Sequence, residues 1–446
     1  MKHILFSLLA VTALASCAQT PVQDELIFTG TNPIITGQFT ADPTARVFEG
    51  KIYMYPSHDI PSVVTHNDGS AWFSMPDYHV FSSEDLTSWT DHGVILRQED
   101  VPWGKPDAYA MWAPDCVYKD GKYYFYFPDA PASGRGFNIG VAVADKPYGP
   151  FIPESEPIKG VFGIDPCVLV DDDGSSYIYW SGMGISGCRL KDNMLELDGN
   201  SVRLDEALPD GFKEGPFAFK YKDRYYLTYP WVRENTETLA YAMSDNPLGP
   251  FEYKGLIMKE SPVGCWTNHH SIVEYKGQWY LFYHHNDYSP DFDKNRSARI
   301  DRLFFNEDGT IQEVTPTLRG VGPVRARSKV ELDRYTCIDG ARIEYLDQTD
   351  LFKGWKTVFS KAGDKVRFDD LDFGNRAPRT VIFKVRAPEG GRLSLTAGQR
   401  AEFDMPAATE WTEISSRMPF KVRKIQDLQL ELAAGKDVEI DWITFR

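Results

Sequence analysis

The chain has 446 residues, of which 42% are hydrophobic and 14% aromatic, enough to fill two or three domain cores and to exclude disorder as its general state. Its formal net charge of −16 argues against nucleic acid or an anionic membrane surface as a partner, because both reward an excess of Lys and Arg. The 11 Trp, 23 Tyr and 27 Phe favour strands and supply platforms on which sugar rings stack.

The chain starts Met1-Lys2-His3, continues with an apolar run from Ile4 to Ala15, and then reads Ser16-Cys17. A charged start, an apolar stretch and small residues before the cut make a secretory signal, too short to span a bilayer comfortably. The Cys placed directly after Leu14-Ala15-Ser16 resembles the bacterial lipobox. Residues 1–17 are therefore expected to be a lipoprotein signal peptide with Cys17 as the lipidated residue. The rest would be tethered in the bacterial cell envelope, meeting the membrane only through that anchor. Five further cysteines (Cys116, Cys167, Cys188, Cys265 and Cys337) show no CxxC spacing and read mostly as buried small hydrophobes, with one bridge left open.

Strand signals dominate the next 300 or so residues. A turn rich in Gly, Asp or Lys leads into an aromatic alternating strand five times: at Ile52-Tyr53-Met54-Tyr55, Tyr123-Tyr124-Phe125-Tyr126, Tyr177-Ile178-Tyr179-Trp180, Tyr225-Tyr226-Leu227-Thr228-Tyr229 and Trp279-Tyr280-Leu281-Phe282-Tyr283. The last four recur about every fifty residues, a propeller-blade period. Asp145-Lys146-Pro147-Tyr148-Gly149-Pro150-Phe151 and Asp245-Asn246-Pro247-Leu248-Gly249-Pro250-Phe251 read as one inter-blade turn used twice. A second strand precedes each aromatic one, opening with Asp42-Pro43, Pro114-Asp115, Asp165-Pro166, Glu214-Gly215-Pro216 or His269-His270. In a propeller the innermost strands all start at the same end of the central channel, so these polar residues are expected to converge there.

The fold expected is all-β: a five-bladed β-propeller over residues 26–324, a linker over 325–340, and a small jelly-roll-like β-sandwich over 341–446. The sandwich is suggested by short alternating segments such as Thr380–Val385 and Leu428–Leu432. A channel mouth with several carboxylates and an aromatic rim suits glycoside hydrolysis, which needs one carboxylate ionised and one carboxyl protonated across the scissile bond. Asp42, Asp165 and Glu214 offer three carboxyl groups from three blades, and a third carboxylate raises the acid's pKa by repulsion.

These stretches, together with Met111-Trp112-Ala113-Pro114-Asp115, Asn268-His269-His270-Ser271 and Asn295-Arg296-Ser297-Ala298-Arg299, resemble glycoside hydrolase family 43 over about two thirds of the chain and in the family's order. The resemblance implies an inverting glycosidase with Asp42 as general base, Glu214 as general acid and Asp165 as modulator of the acid's pKa. It further implies that Arg296 reaches sugar hydroxyls, that Trp112 lines the pocket, and that His269 faces a Ca²⁺ in the channel through waters. Asp115 is implied to be structural. No cofactor is required for the chemistry.

Long loops at 56–79 and 97–111 are expected to close the groove into a pocket, with His58, Asp59, Trp72, Trp103 and Tyr109 as candidate walls, which favours removal of terminal sugars. The tail more faintly resembles a family 6 carbohydrate-binding module through Ala341–Tyr345, Asp372–Asn375 and Glu439–Phe445. That likeness implies a structural Ca²⁺ near Glu344 and Asp441, and it makes Trp355 and Trp411 candidate sugar platforms. The expected substrate is an oligosaccharide or polysaccharide from plant hemicellulose or pectin, with α-L-arabinofuranosidase and β-xylosidase activities level. The alternatives are a retaining, invertase-like hydrolase and a catalytically silent surface sugar-binding lipoprotein.

Overall fold

The structure is a computed structural model that describes residues 25–28, 31–322 and 324–446. The signal segment and Cys17 lie outside the described residues. Strands make up nearly all of the regular structure; the described residues contain only two single-turn 3₁₀ helices, Gln98–Asp100 and Leu351–Lys353. No described helix is long and apolar enough to cross a membrane.

Five antiparallel sheets form the propeller. Their inner strands are Ala41–Phe48, Asp115–Lys119, Ile164–Val170, Phe217–Tyr221 and His270–Tyr275, and each pairs with one of the five aromatic strands. Each inner strand touches those of the neighbouring blades, and the last touches the first, so the ring closes. Glu25–Phe28 adds an outermost strand to blade one, while the segment leading into Ala41 lies along blade five: Ile34 N donates to Ala298 O at 2.9 Å and Thr40 N to Arg296 O at 2.8 Å. The start of the chain thus fastens the first and last blades.

Aromatic strands feed the inter-blade cores, and the hydroxyls of Tyr55, Tyr126, Tyr179 and Tyr226 find partners in the following blade. Tyr55 Oη donates to Pro147 O at 2.5 Å, and Tyr179 Oη to Pro247 O at 2.7 Å. Those two prolines belong to the twice-used turn, so the sequence echo marks one docking contact made between blades one and two and again between blades three and four. The same turns bury Phe151 and Phe251.

At the axis the cement is polar. Arg46 on blade one donates to both Asp115 oxygens on blade two, at 2.9 and 2.6 Å, and to Val168 O on blade three at 3.1 Å; its guanidinium lies 4.8 Å over the Phe217 ring of blade four. Asp115 also accepts from Val168 N at 2.6 Å. Ser271 of blade five donates to Pro43 O and accepts from Ala45 N. His270 meets Thr228 of blade four at 2.6 Å.

Two packed sheets make the C-terminal domain. One runs in the order Val324–Arg325, Lys365–Asp372, Ile425–Gly435, Gly391–Ala397, Gln399–Met405; the other runs Arg342–Tyr345, Trp355–Phe359, Val438–Phe445, Thr380–Ala387, Ala408–Arg417. Their facing side chains, among them Phe368, Leu393, Leu430, Phe383, Ile440 and Phe445, form one core.

Residues 325–340, expected as a linker, are woven into this domain: Val330–Glu331 pairs with the last strand and Cys337–Asp339 with Lys365–Asp372, while Val330 and Leu332 are buried. Strands of two or three residues are too short to carry a readable alternation, which is why the segment looks irregular in sequence. It also wedges the two domains together. Arg334 is buried, donates to Asn32 O and to Tyr288 Oη, and lies 4.8 Å over the Trp355 ring. The five described cysteines are unbridged, four of them buried and Cys337 exposed.

The buried Arg46–Asp115 pair yields a stability prediction. Asp115→Ala leaves the guanidinium without its counter-charge and should cost about 3–5 kcal/mol, read from denaturation midpoints. The double change Arg46→Met with Asp115→Leu should cost less, since no charge is then stranded.

Candidate active site

Asp42 and Asp165 share a local device. Each precedes a proline, each has a left-handed backbone (φ 48° and 56°), and at each the inner strand's ladder skips register, between Ala41 and Thr44 and between Ile164 and Cys167. Left-handed backbone in a residue other than glycine costs on the order of 1–3 kcal/mol and persists where its surroundings hold it.

The surroundings of Asp42 are dense. Ser57 Oγ donates to its Oδ2 at 2.9 Å and Arg296 Nη1 to its Oδ1 at 2.8 Å, while its own backbone N–H donates to His284 Nδ1 at 3.0 Å. That last bond makes Nδ1 an acceptor, so Nε2 carries the hydrogen and faces Thr267. Burial, then Arg296, holds His284 well below the usual imidazole range, so it is a neutral scaffold for Asp42. Arg296 is itself fixed by a bidentate pair with buried Asp59, both bonds at 2.9 Å, and lies 4.8 Å over the Phe73 ring.

Glu214 has the opposite environment. Burial, followed by repulsion from and hydrogen bonding to Glu237, raises its carboxyl well above the ordinary range. Glu237 is fully buried, with Oε2 accepting from Asn268 N at 2.8 Å and Oε1 meeting no donor from any other described group. A protonated Glu214 is the donor that Glu237 lacks. Asp165 is pushed up to about 7, by burial first and then by Glu214, and its Oδ2 accepts from Gly215 N at 3.0 Å. Gly215 cannot be replaced without movement: φ is +50°, and an added Cβ would stand 2.9 Å from both His269 Nδ1 and the Pro230 ring.

These groups line one pocket of about 470 Å³. Asp42, Asp165, Glu214, Trp112, Arg296 and His269 all face it, from five blades. Of the candidate wall residues only Trp72 lines it. Asp59 lies behind Arg296, and His58 is turned to Asp77 at 2.7 Å. Trp103 packs on Phe127 at 6.0 Å, and Tyr109 is absent from the wall. Phe212 and Trp266, 6.1 Å apart and 51% and 41% exposed, stand at the mouth.

Sequence reading missed Glu237, Phe212 and Trp266, and it put Asp59 in the pocket wall rather than behind Arg296. Asp59 had a signal, since Ser57-His58-Asp59 continues an aromatic strand into the channel end. Glu237 had none, because it opens the third strand of a blade, outside the motif set.

The Glycosyl hydrolases family 43 model matches residues 30–311. The chain belongs to that family. It is 40% identical to xylosidase/arabinosidase 43A of Humicola insolens over 332 residues, 64% of this chain and 99% of that protein. The crystal structure of a family 43 β-xylosidase/α-arabinofuranosidase from a compost microbial metagenome, in complex with xylotriose and in a calcium-free form, is 38% identical. It covers 65% of this chain and 98% of its own, with a TM-score of 0.59. A family 43 arabinoxylan arabinofuranohydrolase from Bacillus subtilis, in complex with cellotetraose, is 25% identical and covers 93% of this chain and 97% of its own, with a TM-score of 0.55. The chain is therefore an exo-acting glycoside hydrolase of this family.

Glu237 sets a testable pH dependence. Glu214 and Glu237 titrate as one buried pair, with burial pushing Glu237 up to about 8; Glu237→Gln removes the charge that Glu237 takes on as the pair loses its first proton, so the Glu214 pKa falls. The alkaline limb of kcat/KM should move to lower pH, with the acid limb unmoved and the low-pH rate close to that of the parent; pH–rate profiles on a 4-nitrophenyl glycoside check this.

Proposed function

We propose that the chain is an inverting glycosidase that removes terminal pentose from hemicellulose or pectin fragments, acting as an α-L-arabinofuranosidase or β-xylosidase. The observation that carries this is the split electrostatics of one pocket: Asp42 held by a guanidinium, and Glu214 held among carboxyl groups that keep it protonated. In the reaction Asp42 takes a proton from water as the water oxygen bonds the anomeric carbon. Glu214 gives its proton to the glycosidic oxygen as the carbon–oxygen bond breaks on the opposite face. Asp165 repels charge on Glu214, orders Gly215, and sits where a sugar hydroxyl can donate to it. Trp112 and the Phe212–Trp266 pair offer faces for sugar rings.

A silent sugar-binding lipoprotein is not favoured, because binding alone has no use for an acid with a raised pKa next to a buried guanidinium–carboxylate pair. The xylosidase and arabinosidase relatives support the pentose reading, and the walled pocket supports terminal removal.

Hydrolysis itself requires no cofactor. A Ca²⁺ in the channel would be held by His269 through waters. No three described His, Cys, Asp or Glu ligands gather around His269, which fits an ion held through water rather than a direct protein cage. Such an ion would add positive charge at the channel end of the pocket.

We read residues 1–17 as a lipoprotein signal and Cys17 as the anchor to the cell envelope. We also read the sandwich as a family 6-like carbohydrate-binding module, on the strength of the likeness that extends over 93% of the chain. Its Ca²⁺ site does not fit. Glu344 is engaged by Arg342 at 2.8 Å and Lys356 at 3.4 Å, and it gathers no third ligand with Asp441. Trp355, stacked on Tyr288 at 5.1 Å in the domain interface, is unavailable to sugar, which leaves Trp411 as the platform candidate.

The test pairs 4-nitrophenyl α-L-arabinofuranoside and β-D-xyloside with a natural oligosaccharide. Glu214→Gln should lower the rate on the oligosaccharide by about 10²–10⁴-fold, and less on the activated phenols, which need less acid. NMR of the first product should show inverted anomeric configuration. Sugar binding with no turnover on any of the substrates would favour the binding-protein reading.

A further inference from the structure

At one end of the sandwich, segments remote in the chain meet around a groove: the turn at Arg327, the loops at 375–380 and 417–423, and Arg446 after the last strand. Arg327, Arg376, Arg379, Arg417, Lys421 and Arg423 line it, and all six are exposed. Arg446 adds a seventh cation, and the lining includes no Asp or Glu. Among the described residues none of the seven forms an ion pair. Elsewhere in the same domain the pairing is the reverse: Arg392 meets Asp404 at 3.0 Å, Arg386 meets Glu439 at 2.5 Å, and Lys365 meets Asp339 at 3.0 Å.

The groove is built rather than incidental. Arg327 Nη2 donates to Arg376 O, Met418 N to Arg379 O, and Thr380 N to Arg446 O, each at 2.8 Å, which fastens the four segments to one another. Pro378 and Met418 are buried beneath it, and Phe420 is half-buried in its wall.

We propose that this groove docks a polysaccharide bearing uronic-acid carboxylates. Like charges crowded into one concave site repel one another, and no Asp or Glu of the lining relieves them; a row of ligand carboxylates does. Six of the seven are arginines, whose planar forks match a carboxylate with two parallel hydrogen bonds. The Phe420 and proline surfaces suit the apolar face of a sugar ring. A flat anionic membrane or a nucleic acid would meet the field of a chain carrying −16 overall, whereas a single carboxylated strand meets the groove locally. The choice of a glycan among polyanions rests on the glycosidase reading above. Uronate binding would hold the enzyme beside acidic regions of its polymer while the propeller trims neutral sugars, and it raises the effective substrate concentration.

The experiment is affinity electrophoresis of the full chain in gels containing polygalacturonate, or the same polymer with its carboxyls reduced to alcohols. Cosedimentation with phosphatidylglycerol vesicles and hydrolysis of the 4-nitrophenyl glycosides run alongside. Retardation by the uronate polymer alone is expected, weakening as salt rises. The double variant Arg379→Glu with Arg417→Glu should weaken it about tenfold or more, with circular dichroism and glycoside hydrolysis unchanged. Equal retardation by the reduced polymer, undiminished retardation of the variant, or binding to vesicles but not polymer would each overturn the proposal. Because docking and hydrolysis are read separately, loss of one leaves the other standing.

Discussion

Arg46 holds the propeller at its axis. A ring of five blades must close around a channel too narrow for a hydrophobic core, and here one largely buried guanidinium bonds or stacks with three other blades: Asp115 of the second, the Val168 carbonyl of the third, the Phe217 ring of the fourth. Taking that charge out of water is costly, and only the bidentate partner and the extra carbonyl make it tolerable. The arrangement ties the inner strands of the first four blades to one another. Since Asp42, Asp165 and Glu214 stand at or near the entries of three of those strands, the axial ion pair holds together the part of the ring that carries them.

On that ring the same local motif yields different groups. Asp42 and Asp165 are both Asp-Pro, both left-handed and both at a skipped register. What separates them is the neighbour across the channel. Arg296, clamped from behind by Asp59, puts positive charge on Asp42; Asp165 has no cation bonded to it among the described residues, and burial, then the neighbouring Glu214 carboxyl, pushes it up to about 7. Glu214 in turn leans on buried Glu237. The site thus holds the proton on its acid and fixes its base in place through charged groups that never touch the reacting bond.

This explains what could be read from the chain and what could not. The aromatic strands and their polar openings are local patterns, so the five blades and the pocket-facing Asp42, Asp165, Glu214 and His269 were legible in them, while Trp112 and Arg296 came from the resemblance to family 43. The doubled turn at 145–151 and 245–251 was legible too, because one contact, tyrosine hydroxyl to proline carbonyl, imposes one sequence twice. Glu237 was not, since its importance comes from a partner on the neighbouring inner strand's entry and not from its own surroundings. Trp103 and Trp355 misled for the same reason in reverse: a Trp in a loop looks the same whether it faces sugar, the blade core or a second domain.

The sandwich and the propeller also divide the electrostatic labour. Around the propeller's channel every described arginine that reaches the axis is matched to a carboxylate, Arg46 to Asp115 and Arg296 to Asp42 and Asp59, so the site presents fixed, short-range fields that screening by salt barely touches. The sandwich groove leaves its arginines unmatched at the surface, where their attraction is long-ranged and salt-sensitive. The first kind of field suits moving a proton over a bond length. The second suits capture of a polymer, and a short segment, 325–340, woven into one domain and wedged against the other through Arg334, keeps the two at a fixed separation.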